Sequence, residues 1–79
     1  MNKMTIMGIR VDHRANVAPK VQEILTKYGK IIISRFGIPD SEKKDGLITL
    51  YVPGGSEETT ELSQELASIE GVTVKTMEL

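Results

Sequence analysis

Cysteine and tryptophan are both absent from this 79-residue chain, and histidine occurs once. Without thiols there are no disulfides, thiolate metal sites, iron–sulfur clusters or cysteine nucleophiles, and a single imidazole builds no transition-metal cluster. Aromatic residues make up only 4% of the sequence, so Tyr51 and Phe36 are too sparse for the stacking platform of an RNA-recognition sheet. GLITLYV also lacks the basic-Gly-aromatic pattern that such a sheet carries on its third strand. Charge of one sign is missing as well: ten basic and eleven acidic residues leave a net −1, which makes no field able to gather nucleic acid or an anionic membrane. Near the N-terminus the apolar residues alternate with polar ones and are cut by Gly8 and Arg10, which suits neither a signal h-region nor a membrane span. The expectation is a soluble, cytoplasmic protein with no membrane contact.

What remains is enough for one domain spanning 1–79. At this size a single core supplies only about 3–5 kcal/mol, and small chains commonly gain more by oligomerising.

MTIMGIRV at 4–11 is short and β-branched and ends at Asp12-His13-Arg14, as a first strand does. Val17, Val21, Ile24, Leu25 and Tyr28 fall on one helical face closed by Gly29. Asp12 and Asn16 are both capable N-caps, and Pro19 fits a first turn, which favours a helix start near Asn16. Residues 31–36 and 47–52 read as the second and third strands, with a charged loop from Gly37 to Gly46 between them. Ser56, followed by Glu57 and Glu58, caps a second helix carrying Leu62, Leu66 and Ile69, which Gly71 stops. Val72 to Met77 alternates as a last strand. Two strand–helix–strand halves with right-handed crossovers give a ferredoxin-like βαββαβ fold, α+β, ACT-like, with a four-stranded antiparallel sheet and both helices on one face.

Such a sheet alternates apolar toward its helices and polar toward water. This one is apolar on both sides. With Met7, Ile9, Val11, Ile32, Ser34, Phe36, Ile48, Leu50, Val52, Val72 and Val74 toward the helices, the opposite face carries Ile6, Ile31, Ile33, Leu47 and Tyr51. Each large side chain taken out of water contributes roughly 1.5–3 kcal/mol, against association costs of about 4–15 kcal/mol. These five are therefore the expected interface of a homo-oligomer, dimer or tetramer; the alternative is a monomer with scattered apolar surface.

In SRFGIP, the alternation places Arg35 beside Ile31 and Ile33 at the rim of that interface and Phe36 toward the helices, while Pro39 keeps Ile38 extended and ends the pairing. Arg35 pairs across a subunit boundary or donates to an anionic ligand. Arg10, His13 and Arg14 surround the first helix N-terminus, a place that suits anions, although Val11-Asp12-His13-Arg14-Ala15 contains no phosphate-loop glycine. The candidate ligand-binding residues are Asp12, His13, Arg14, Asn16 and Arg35. No metal site and no cofactor are expected; Asp12 and His13 read as solvated loop residues, Lys43-Lys44-Asp45 as a loop tip, and Glu57, Glu58, Glu61 and Glu65 as the wet side of the second helix.

VDHR before the first helix, ILTKYGKI at its end, SRFGIP and the terminal GVTVKT together resemble the small ACT-like proteins of the iron-only hydrogenase system regulator family, over roughly Met4 to Met77. The resemblance implies an ACT-type fold, shared with the C-terminal domain of the nickel-responsive repressor, dimeric or tetrameric assembly, and a regulatory rather than enzymatic role. Two features of related proteins have no match. The Asp-x-x-Gly turn of amino-acid-binding ACT domains keeps Asp12 but has Ala15 and Asn16 where glycine is needed, and the nickel repressor's histidine and cysteine ligands have no counterparts. Both helices are required to cover the sheet, so none is left to enter a DNA groove. The leading expectation is a homo-oligomeric regulatory or ligand-sensing module, in transcription regulation through a protein partner or a small-molecule effector and without direct DNA binding. The alternative is a structural module that takes another polypeptide as an added strand at a sheet edge. An acylphosphatase-like enzyme is disfavoured, because VDHRANVA lacks a glycine-rich anion loop.

Overall fold

The computed structural model describes residues 3–38 and 44–79. Strand β1 (Met4–Val11) is followed by helix α1 (Ala18–Lys27), strands β2 (Ser34–Ile38) and β3 (Gly46–Pro53), helix α2 (Glu57–Ala67) and strand β4 (Val72–Glu78). The sheet order is β2-β3-β1-β4 and every neighbouring pair is antiparallel. This is the ferredoxin-like arrangement the alternating halves predict.

Register assigns each side chain to a face. Met7 pairs with Leu50, Ile9 with Ile48 and Val74, and Val11 with Val72. These residues meet Val21, Leu25 and Tyr28 of the α1 segment and Leu62, Leu66 and Ile69 of the α2 segment in one buried core. Leu50, Met7, Leu62 and Leu66 are completely inaccessible. The apolar helical stripes seen in the sequence are therefore the surfaces that cover the sheet.

Three local expectations change. Helix α1 starts at Ala18 with Val17 as a cap residue that offers no side-chain bond, because Asn16 takes a positive φ of 57° and turns the chain before the helix begins. Its C-terminal turn continues through Tyr28 to Ile31, with the Ile31 N–H donating to the Tyr28 carbonyl at 3.1 Å. Ile31 and Ile32 consequently pack as loop residues against the core, and β2 begins three residues later than the IIIS run suggests. Within β2 the parity is inverted: Arg35 pairs with Leu50 on the helix side, and Phe36 pairs with Thr49 on the open side. Pro39 and Lys43 lie outside the described residues.

Gly71, after α2, has φ of 86°, and its carbonyl accepts from the Asp12 N–H at 2.8 Å, tying the α2–β4 turn to the β1–α1 loop. A Cβ there would stand 2.5 Å from the Ala15 Cβ, whereas one on Gly55, at φ 71°, meets open space. Gly71→Ala should lower stability in urea unfolding by more than Gly55→Ala, for which left-handed strain alone costs about 1–2 kcal/mol. Equal losses would show that the close approach to Ala15 is unimportant.

Candidate functional site

An open cleft of about 480 Å³ lies between α1 and the β2–β3 edge, lined by Val11, Ala18, Val21, Gln22, Arg35, Gly37, Ile38, Gly46 and Ile48. It exists because the helix-side positions there are small. Gly37 stands opposite Ile48, and Gly46 stands opposite Val11, so the sheet presents bare backbone where a larger side chain would reach toward α1. Arg35 forms the polar wall, its Nη2 donating to Gln22 Oε1 at 2.7 Å. Among the described residues Arg35 has no carboxylate within ion-pair distance. Arg35 is thus a candidate ligand residue, but in the helix-side cleft and not at the rim of the open sheet face.

The other four candidates form a different unit. Asp45 accepts from Arg10 Nε at 2.7 Å, from the His13 backbone N–H at 3.0 Å and from His13 Nδ1 at 2.7 Å. Asp12 accepts from the Arg14 backbone N–H and from its Nε and Nη2 at 2.9–3.0 Å. The hydrogen bonds from Arg14 pull the Asp12 carboxyl down to about 2. Those from His13, with Arg10 adding to them, hold Asp45 still lower. Asn16 is exposed beside this cluster and shapes the loop through its left-handed backbone.

Asp12, His13 and Asp45 place potential ligand atoms within 4.8 Å of one another. Their carboxylates, however, already neutralise two guanidinium groups, so a cation arriving there would have to displace Arg10 and Arg14. The arrangement works as an electrostatic clasp between the β1–α1 loop and the start of β3. Sequence reading leaves Asp45 as a loop tip; its partners are 32 and 35 residues away, and only folding brings them together.

Glu65 is likewise more than a wet helix residue. It accepts the Tyr28 hydroxyl and, at 3.1 Å, the Lys27 ammonium, joining the two helices. This bond pushes the Tyr28 hydroxyl up to about 12 and holds Glu65 below the usual carboxylate range.

The open sheet face consists of three rungs. Ser34, Tyr51, Ile6 and Met77 form the first; Phe36, Thr49, Gly8 and Lys75 the second; Ile38, Leu47, Arg10 and Thr73 the third. Phe36 is 74% exposed, and Ile38, Leu47, Tyr51 and Met77 are each about half exposed. Of the five expected interface residues, Ile6, Leu47 and Tyr51 lie here. Ile31 packs on the core instead, and Ile33 is exposed just before β2, where its N–H donates to the Tyr51 carbonyl at 2.9 Å. Phe36, Ile38 and Met77 join the face in their place.

Because the folded Asp12 and Asp45 carboxyls ionise below the unfolded value of about 3.9, their contribution is fully present above about pH 4 and is lost as pH falls toward about 2. The urea midpoint should fall across that window. Asp45→Asn should lower it at neutral pH and flatten the acid slope; an unchanged slope would show that the clasp does not stabilise the fold.

Residues 3–76 match the TM1266-like family, described as "Iron-only hydrogenase system regulator, putative". Among solved structures, uncharacterized protein TM1266 from Thermotoga maritima is 30% identical, with a TM-score of 0.86 over 100% of this chain and 99% of that one. The C-terminal domain of MgtC from Mycobacterium tuberculosis is 13% identical, with a TM-score of 0.69 over 99% of this chain and 88% of that one. Apo CPII from Thiomonas intermedia K12, a nitrogen regulatory PII-like protein, is 11% identical, with a TM-score of 0.59 over 98% of this chain and 89% of that one. These last two show a shared fold. Comparison with curated proteins finds no match. No helix among the described residues is long and apolar enough to cross a membrane. With the matched segment running from β1 into β4 and the likeness to TM1266 spanning both chains, this protein belongs to the TM1266-like family.

Proposed function

We propose that this chain is the subunit of a non-enzymatic regulatory module that works as a homo-oligomer, senses a small-molecule effector, and acts on an iron-only hydrogenase system through a protein partner. The observation that carries this reading is the open sheet face: Ile6, Tyr51, Met77, Phe36, Ile38 and Leu47 stand together on one surface. A face of this kind is covered economically by a second copy, because a two-fold axis sets the same apolar rungs against themselves. The family description supports the regulatory role.

Two further observations support the non-catalytic side of the reading. The charged residues of the β1–α1 loop neutralise one another in the Asp45 clasp, which leaves them poor candidates for proton transfer. Helices α1 and α2 both spend their apolar faces on the sheet, so direct reading of a DNA groove by either would require exposing the core.

A second reading, a structural module that receives a partner's strand, is favoured by β2. It is an edge strand, and all five of its residues are exposed, an open ladder for strand addition.

Light scattering of the wild type at micromolar concentration should give the mass of two or four chains. Phe36→Glu and Tyr51→Glu should each reduce it to one chain while the circular dichroism spectrum is kept. A wild-type monomer would refute the sheet-face assembly. A stable oligomer indifferent to both changes but broken by Gly37→Pro in β2 would favour edge pairing instead.

A further inference from the structure

We infer that the cleft between α1 and β2 is a binding site for small organic monocarboxylates with an apolar body and no amino group. The inference deepens the regulatory reading above and rests on it only for biological meaning, since binding is measurable on the chain itself.

Size, shape and charge distribution converge on this ligand class. At about 480 Å³, the cleft falls in the roughly 300–1,000 Å³ range of small-molecule sites. Val11, Ala18, Val21 and Ile48 supply apolar wall from β1, α1 and β3. Gly37 and Gly46 leave backbone as floor.

Among the described lining residues the polar side chains stand in one place. Arg35 and Gln22 meet at 2.7 Å, with the amide oxygen accepting from the guanidinium. That bond engages the Gln22 amide oxygen and leaves its NH2, with the remaining guanidinium N–H groups, as donors. An oxyanion docking there receives charge-assisted hydrogen bonds from a planar fork, which suits a carboxylate. The hydrocarbon part then lies along Val21 and Ile48.

Among the described residues the lining contains one cation and no acid. An ammonium group carried next to the carboxylate would therefore enter without a counter-charge and give up hydration for nothing. The site thus discriminates against free amino acids, in keeping with the loss of the Asp-x-x-Gly turn. The Asp12 and Asp45 carboxylates belong to the neighbouring clasp, where Arg10, His13 and Arg14 engage them; they do not line this cleft.

Three probes of one shape test the inference: 4-methylpentanoate, its neutral amide and leucine, titrated into the intact protein. Amide resonances of Gly37 and Gly46 and the Gln22 side-chain NH2 report occupancy. The acid should give saturable shifts at those positions, with the amide and leucine each about tenfold weaker or more, the equivalent of about 1.4 kcal/mol. Arg35→Gln should erase the preference for acid over amide, and Arg35→Lys should retain part of it. In Gly37→Ala the new methyl would meet the Leu47 carbonyl and Ile48 Cγ1 at ordinary contact distances of 3.5 and 3.6 Å. It should preserve the fold and weaken all three probes by narrowing the floor. Equal affinity for acid and amide, preference for leucine, or no saturable shift from any probe overturns the inference. Scattering mass recorded on the same samples keeps the outcomes apart: a monomer that binds the acid defeats the assembly reading alone, and an oligomer that ignores it defeats the site alone.

Discussion

Burial of one face of the sheet beneath two short helices is the constraint on which everything else in this molecule depends. Met7 and Leu50 pair across the central strands with no exposed surface, and Val21, Leu25, Leu62 and Leu66 press on them from above. A residue slip of either central strand would send these side chains to the opposite face and abandon the core. Because register is held this firmly, the composition of the second face follows from the same ladder. Tyr51 must oppose Ile6, and Leu47 must oppose Arg10.

The second face and the cleft are two consequences of how the sheet ends. On the open side, apolar rungs continue to the β2 edge with Phe36 and Ile38. On the helix side they stop, because Gly37 and Gly46 replace bulk with backbone and Arg35 bends over to Gln22. The proposed assembly surface and the proposed ligand cleft thus sit on opposite sides of one edge strand. Occupancy of the hollow would bear directly on β2, the strand that also contributes Phe36 to the face. This proximity gives a physical route by which a ligand could bias assembly, with no need for a long chain of intermediates.

Legibility differed by element. The bounds of β1 and the β3 and β4 alternations were readable because each strand carries its own period. The α2 cap was readable because Ser56 accepts from the Glu58 N–H as the local pattern implies. The start of β2 was not, since three successive isoleucines suit a strand and a buried loop equally, and only the extended turn after α1 decides between them. That misplacement inverted the parity of Arg35 and Phe36. It put Arg35 at the rim of the open face instead of beside the helix-side cleft, and it hid Phe36 from the open face. Asp45 and Glu65 were illegible for a different reason: an acid in a charged stretch looks solvated until its distant partners are known.

Periodicity and local chemistry in the sequence alone determined the order of elements, the stripes that cover the sheet, the glycine after α2 and the presence of apolar residues on both faces, because each is written within a turn or two of chain. Tertiary structure decided which face Arg35 serves, that Asp45 and Glu65 are clasps, and that a cleft stands between α1 and β2. Those outcomes depend on which residues, distant in sequence, come to lie opposite one another, and hydrogen-bond register between strands sets that only once the whole sheet has formed.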